Sequence, residues 1–254
     1  MNYINQKILF LDRDGTICYD DGAFGSEKYP YEEVISRIRP IEGVKESLKY
    51  AKEKGYLLVV ISNQAGIAKG RFDEWHTHYS NKLLQEKLDN IIDGFYYCPH
   101  HTDGKNNSGI VAANAKLDLI CNCNCRKPKI GMFINCENDL KNGKIQYIDE
   151  RLINEKIVFE KDRDNLYKKN MPKSFIDKEN SYMIGDKWLD VLAGEKYGVN
   201  SIFVMSGEGK VEFTKKKSQQ VELPNKYEIY DDINTFIKER LWDISKNCVR
   251  ERLF

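Results

Sequence analysis

Tyr56-Leu57-Leu58-Val59-Val60-Ile61 is apolar at every position. A strand with one solvated face alternates apolar and polar side chains. A run that never alternates is buried on both faces, as a strand inside a parallel sheet is. Before it, over 42–54, Val44, Leu48 and Ala51 share one helical face, with Glu42 near the start and Lys52 and Lys54 near the end. Gly55 follows as a C-terminal cap. A further apolar run, Ile8 to Leu11, precedes that helix. Strand, helix and strand in this order predict a right-handed crossover between parallel strands. With 254 residues the chain is long enough for one sizeable α/β domain with insertions, and a single domain over 1–254 is expected.

The first run delivers Asp12-Arg13-Asp14-Gly15-Thr16. Asp12 and Asp14 lie two residues apart, so on extended backbone they lean the same way, and Gly15 lets the chain turn sharply. Taken alone, this is also how an Asp-Gly turn after a buried strand reads. Two crowded carboxylates repel unless a cation lies between them or one holds a proton. That suits Mg²⁺ and a carboxylate nucleophile paired with a carboxyl acid/base.

The second run ends in Ser62-Asn63-Gln64-Ala65-Gly66-Ile67-Ala68-Lys69-Gly70. Ligands of open α/β sheets bind beyond the carboxyl ends of the strands. Ser62 could bond a phosphate oxygen there, and the small residues let backbone N–H groups approach an anion. A plain strand-to-helix turn is the alternative. Asp73 is placed to cap a helix running to about 90, with Leu83, Leu84, Leu88 and Ile91 on its apolar side. His76 and His78, two residues apart, lack the spacing of a helical ligand pair and are expected at the surface or partly packed.

A short third strand, Phe95-Tyr96-Tyr97, runs into Cys98-Pro99-His100-His101, and Cys121-Asn122-Cys123-Asn124-Cys125 follows a polar loop. The seven cysteines, at 18, 98, 121, 123, 125, 136 and 248, are odd in number and clustered. That pattern points to metal binding, not to a disulfide framework. Two groups of soft ligands bracketing a loop suit a closed tetrahedral Zn²⁺ site of structural role. Cys121 and His101 leave more than four donors to choose from. Arg126, Lys127 and Lys129 come directly after and would set cations where a phosphoryl group sits.

Residues 134–180 form a highly charged insertion whose Ile145, Tyr147, Leu152, Ile153, Ile157, Val158 and Phe159 could pack one or two helices or a hairpin. A cap, an oligomer contact or a decoration remain open for it. Tyr182-Met183-Ile184-Gly185-Asp186 then restores the strand pattern, with Asp190 one helical turn after Asp186. A helix over 188–197 and a last strand, Ser201 to Met205, follow. Residues 206–226 are polar, with Lys215, Lys216 and Lys217 expected to be solvated. A helix over 231–246 carries Ile233, Phe236, Ile237 and Leu241 on one side and is expected to pack back on the sheet.

The motif Asp12-Arg13-Asp14-Gly15-Thr16, the run from Ser62 to Gly70, the Lys127 segment and Gly185-Asp186 with Asp190 resemble, in order, the four motifs of the haloacid dehalogenase (HAD) superfamily phosphatases. Cys98-x-His100 and Cys123-x-Cys125-Arg126-Lys127-Pro128 narrow the resemblance to the histidinol-phosphate and heptose-bisphosphate phosphatase family. The resemblance covers about 7–133 and 181–205. It implies a Rossmann-like parallel sheet with helices on both faces, no large cap domain, and a zinc-bound loop at 98–125. It implies Asp12 as nucleophile and Asp14 as general acid/base, with Ser62 and Lys127 on the phosphoryl group. Asn63, Arg126 and Lys187 would contact substrate. Mg²⁺ would be held by Asp12, Asp186 and the carbonyl of Asp14, with Asp190 orienting Lys127 or a metal-bound water. Zn²⁺ would be held by Cys98, His100, Cys123 and Cys125. Lys69 would reach a remote anionic group or stay solvated. The implied activity is removal of the 7-phosphate of D-glycero-D-manno-heptose 1,7-bisphosphate, with histidinol phosphate as the alternative. A zinc-stabilised interaction protein without activity is the reading outside the enzyme class.

Charged residues make up 31% of the chain and the net charge is +1, so no field of either sign points to nucleic acid or to an anionic membrane. There is no apolar run of membrane-spanning length, and the polar stretch Met1 to Lys7 leads to the expectation that no signal peptide is present. A cytoplasmic monomer acting on a small phosphorylated sugar is the expectation.

Overall fold

The computed structural model describes residues 3–19, 33, 38–105, 108–215 and 224–242. Most of the loop expected over 17–39, Lys216 and Lys217, Cys248 and the tail beyond 242 lie outside the described residues. In chain order the elements are β1 (Ile4–Leu11), α1 (Val44–Glu53), β2 (Tyr56–Asn63), α2 (Glu74–Lys87) and β3 (Gly94–Cys98). The zinc-type loop follows, then α3 (Gly131–Lys141), β4 (Lys144–Gln146), α4 (Glu150–Asn154), β5 (Lys168–Asn170) and β6 (Ser174–Ile176). β7 (Tyr182–Gly185), α5 (Trp188–Tyr197), β8 (Asn200–Val204), α6 (Gly209–Lys215), β9 (Glu228–Tyr230) and α7 (Ile233–Phe236), continued by a π-turn at Ile237–Leu241, complete the described chain.

The central sheet runs β3-β2-β1-β7-β8-β9, with all neighbours parallel. Leu11 pairs with Val60 on one side and with Ile184 on the other, so β2 runs three residues and β7 one residue beyond the end of β1. The sequence order of the strands reverses direction at β1. A crevice therefore opens beyond its carboxyl end, the position at which such sheets bind ligands. Two cores cover the sheet. On one face Leu9, Leu11, Leu58 and Val60 pack with Val44, Leu48 and Leu84 of α1 and α2 and with Phe236 of α7. On the other Ile8, Phe10, Val59 and Ile61 pack with Met132 and Phe133 of α3 and with Ala193 and Tyr197 of α5. Alternate residues of Ile8–Leu11 in β1 and of β2 feed opposite cores, so neither stretch can show a polar face.

The structure departs from the sequence reading in four places. The last strand is not β8, because β9 adds a further edge strand paired at Phe203↔Ile229. The 134–180 region does contain helices and an antiparallel pair, β4 with β5, but it also supplies β6, which extends the central sheet beside Ile4–Gln6 of β1. His76 and His78 are not at the surface: they are 6% and 1% exposed, because α2 is covered on both sides. Lys129 turns away from the phosphoryl region and donates to Cys123 O at 2.6 Å and to Asn122.

Candidate active site and metal centre

β1 carries Asp12 to the crevice, 7% exposed. Lys127, 2% exposed, reaches it from the loop before α3. Lys127 Nζ donates to Asp12 Oδ1 at 2.6 Å and to the Ile61 carbonyl at 2.6 Å, and lies 2.7 Å from Asp190 Oδ1. Burial alone would lower the pKa of this ammonium, but Asp12 and Asp190 outweigh it and hold the pKa above the ordinary value. Asn63 fixes the lysine's backbone: its Oδ1 accepts from Lys127 N at 3.0 Å and its Nδ2 donates to Lys127 O at 3.3 Å.

Asp186 ends β7 beside Asp12. Oxygen atoms of Asp12, Asp186 and Asp190 all lie within 4.8 Å of one another. Asp186 Oδ2 accepts from Glu208 N at 2.8 Å, while its Oδ1 is buried with no hydrogen-bond partner. Burial, then the charges of Asp12 and Asp190, push the Asp186 carboxyl up to about 8. Burial pushes Asp12 up to about 6 against the pull of Lys127. A cation relieves both costs and gives the orphaned oxygen a partner, so these residues fit an oxygen-ligated divalent metal. Gly15 permits this proximity. It sits at φ +89°, and a Cβ there would lie 2.2 Å from Asp186 Oδ2.

Asp14 points along the wall of a cavity of about 240 Å³ lined by Arg13, Asn63, Gln64, Gly66, Lys69, Arg71, Phe72 and Lys187. Its carboxylate accepts from Arg13 Nε and Nη2 at 3.0 Å each and from Gln64 Nε2 at 3.2 Å. Burial opposes ionisation, but Arg13 and Gln64 together hold its carboxyl below the usual value. The amide of Gln64 also donates to Ser62 Oγ at 2.7 Å, so it spans Ser62 and Asp14. Lys69 loses some basicity to burial and to the nearby guanidiniums of Arg71 and Arg126. Lys187 lies 3.7 Å from Glu208.

All four motifs therefore meet at one crevice. Three contributors were not singled out from sequence. Arg13 and Gln64 stood inside recognised motifs without a role. The 206–208 turn, read as polar linker, closes the site through Glu208 N and through Ser206 Oγ, which donates to Gly15 O at 2.7 Å.

The second cluster forms where β3 ends. Cys98 Sγ lies 3.6 Å from Cys123 Sγ and 3.1 Å from Cys125 Sγ, and the latter two are 3.4 Å apart. His100 Nδ1 is 3.2 Å from Cys125 Sγ and 3.6 Å from Cys98 Sγ. Bonds of ~2.3 Å to a tetrahedral zinc give edges of about 3.8 Å, so these four donors fit such an ion with little movement. The two spare donors are elsewhere: His101 Nδ1 accepts from Gly104 N at 3.0 Å, and Cys121 stands outside the cluster.

Residues 124–234 match the HAD-hydrolase-like family. The D-glycero-β-D-manno-heptose-1,7-bisphosphate 7-phosphatase of Haemophilus ducreyi is 33% identical over 223 residues, 86% of this chain and 93% of that protein. The chain belongs to the HAD-like phosphatase family. The enzyme of the same name from Escherichia coli is 31% identical over 204 residues, 79% of this chain and 80% of its own. Among solved structures, the D,D-heptose 1,7-bisphosphate phosphatase of B. bronchiseptica, complexed with magnesium and phosphate, superposes with a TM-score of 0.60. The match covers 93% of this chain and 98% of that one at 19% identity. At that identity the likeness establishes the fold alone: an α/β architecture on a parallel sheet, as expected. No helix among the described residues is long and apolar enough to cross a membrane.

Proposed function

We propose that this HAD-like phosphatase removes the 7-phosphate of D-glycero-D-manno-heptose 1,7-bisphosphate. The observation that carries the reading is the setting of Asp12. It follows the buried end of β1, Ile8 to Leu11, has one oxygen held by the buried Lys127 at 2.6 Å, and lies within 4.8 Å of the Asp186 carboxylate, whose Oδ1 lacks a partner. Asp12 attacks phosphorus and forms an aspartyl-phosphate. Asp14 enters the reaction in its protonated form, against the pull of Arg13, gives that proton to the departing oxygen and then takes one back from the hydrolytic water. Lys127 and Ser62 hold the phosphoryl oxygens, Ser62 by exchanging its bond from Gln64 for one to substrate. Asp190 keeps Lys127 on axis. Mg²⁺, held by Asp12, Asp186 and the Asp14 carbonyl, supplies Lewis-acid neutralisation of the phosphoryl charge when bound. Zn²⁺ at Cys98, His100, Cys123 and Cys125 pins the loop that delivers Arg126 and Lys127.

The cavity rim favours a bisphosphate over histidinol phosphate. Lys69, Arg71 and Lys187 line it, and Arg126 is close enough to depress Lys69. Such a rim attracts a second phosphate and repels the ammonium of histidinol phosphate. The names of the relatives agree with the bisphosphate, and they specify the β anomer. The test is phosphate release with Mg²⁺ from heptose 1,7-bisphosphate and from histidinol phosphate, side by side, with EDTA as control. Preference for the bisphosphate is expected. Preference for histidinol phosphate overturns the substrate, and EDTA-insensitive release overturns the metal.

A further inference from the structure

Arg13 is 1% exposed and among the largest fully buried side chains of the molecule. Its Nε and Nη2 form the fork on Asp14, one N–H to each carboxylate oxygen. Its Nη1 points the other way, into α2, where it donates to Ser80 Oγ at 2.8 Å and to Asn81 Oδ1 at 3.0 Å. Ser80 Oγ is free to accept because its own proton goes to the Thr77 carbonyl at 2.9 Å. The guanidinium therefore joins Asp14 to the middle of a helix, and a planar fork transmits orientation as well as charge. Without it, Asp14 faces the cation of Lys187, which already acts on its charge.

The helix is itself held by the 134–180 region. The N–H groups of Glu74 and Trp75, in the first turn of α2, donate to Val158 O at 2.9 Å and Ile157 O at 3.2 Å. These are donors that a helix start leaves without internal partners. The fully buried Glu74 carboxylate accepts from Arg163, from Tyr97 and from Glu160 N.

We propose that Arg13, Ser80 and Asn81 are positioning residues that aim Asp14 at the leaving-group oxygen, and that segment 157–163 keeps α2 in place for them. The proposal rests on the reading of Asp14 as the acid/base. Of the nitrogen contacts on Asp14, Gln64 makes a single bond at 3.2 Å and Arg13 two at 3.0 Å, so the Gln64 bond is the one that substrate displaces while the Arg13 fork stays.

A brace on the general acid matters where the leaving group needs a proton. A sugar alkoxide needs one, whereas 4-nitrophenolate leaves without it. The experiment compares kcat/KM, which reports phosphoryl transfer and not the later hydrolysis, for heptose 1,7-bisphosphate and for 4-nitrophenyl phosphate. Asn81→Leu is expected to lower kcat/KM for the sugar phosphate at least about tenfold and to leave 4-nitrophenyl phosphate within about threefold. Ser80→Ala, which a helix tolerates, is expected to show the same selectivity with a smaller loss. Asn81→Asp keeps an accepting oxygen on Arg13 and is expected to restore most of the sugar-phosphate rate. Equal losses on both substrates in Ser80→Ala and Asn81→Leu would overturn the brace. Asp14→Asn is the control that separates the two readings: if it too loses both substrates equally, the acid/base role of Asp14 fails first. If it is selective while the α2 variants are not, only the brace fails.

Discussion

At the scale of single residues the site is defined by charges that have too few neighbours of opposite sign. Asp12 and Asp190 share the ammonium of Lys127, and Asp186 keeps a buried oxygen with no partner. Asp12→Asn removes one of these charges. It is expected to abolish phosphate release while leaving the thermal midpoint unchanged or higher, because like-charge crowding falls. A melt alongside an endpoint phosphate assay checks both halves, and residual turnover would remove Asp12 as nucleophile. Gly15→Ala tests geometry in place of charge. The new Cβ would have to occupy space 2.2 Å from Asp186 Oδ2 at a backbone angle of +89°. The expectation is loss of activity with a stability cost of about 1–3 kcal/mol from the strained angle and the displaced carboxylate.

At the scale of elements, two devices hold loops that lack a core of their own. The zinc-type cluster fastens the segment after β3 to the loop before α3, and Lys127 follows Cys125 by two residues. Chelation, or Cys125→Ser, is expected to release zinc and to weaken activity together with the protection of backbone amides over 98–127. Hydrogen exchange with metal analysis reads this, and unchanged protection after metal loss would make the cluster dispensable. The second device is Arg163 on Glu74. Arg163→Leu leaves a fully buried carboxylate without its cation, which is expected to cost about 3–5 kcal/mol. Urea denaturation measures it. Glu74→Gln in the same background should recover part of the loss by removing the unpaired charge.

At the scale of the whole molecule, pH acts through a buried histidine that joins three segments. His78 Nδ1 accepts from Asp149 N at 3.0 Å, and its Nε2 lies 2.9 Å from Tyr97 Oη. Burial, then the charges of Arg163 and Arg151, push its pKa from 6.5 down to about 3. Between those values the unfolded chain binds a proton at this position that the folded chain does not. Stability therefore rises with pH across the window and is lost as pH falls from about 6.5 toward 3, by at most ~1.4 kcal/mol per pH unit. His78→Gln should flatten that slope in urea titrations run from pH 7 to 4, and an unaltered slope would place the acid sensitivity elsewhere. Strands β1, β2, β3, β7 and β8, the parallel crossover from β1 to β2 and the carboxylates after β1 and β7 were legible in the sequence, whereas β6 and β9 were not. Each of those signals is local: an apolar run without alternation, and a motif immediately after it. The four metal-site donors were legible for the same reason once Cys121 and His101 were set aside, and it took the fold to set them aside. Ser80 and Asn81 carried no such signal. A polar residue in a helix reads as solvated unless a partner 67 or 68 residues away in sequence is known to arrive beside it. Nor did Glu208, whose contribution is a backbone N–H and is therefore independent of its side chain. The sequence by itself determined the inner strands β1, β2, β3, β7 and β8 and the acidic and metal-binding groups that follow them, because backbone periodicity and motif spacing are short-range properties. Tertiary structure alone decided that α2 and the 157–163 segment stand behind Asp14, because burial and partnership of polar groups depend on what the rest of the chain brings to them.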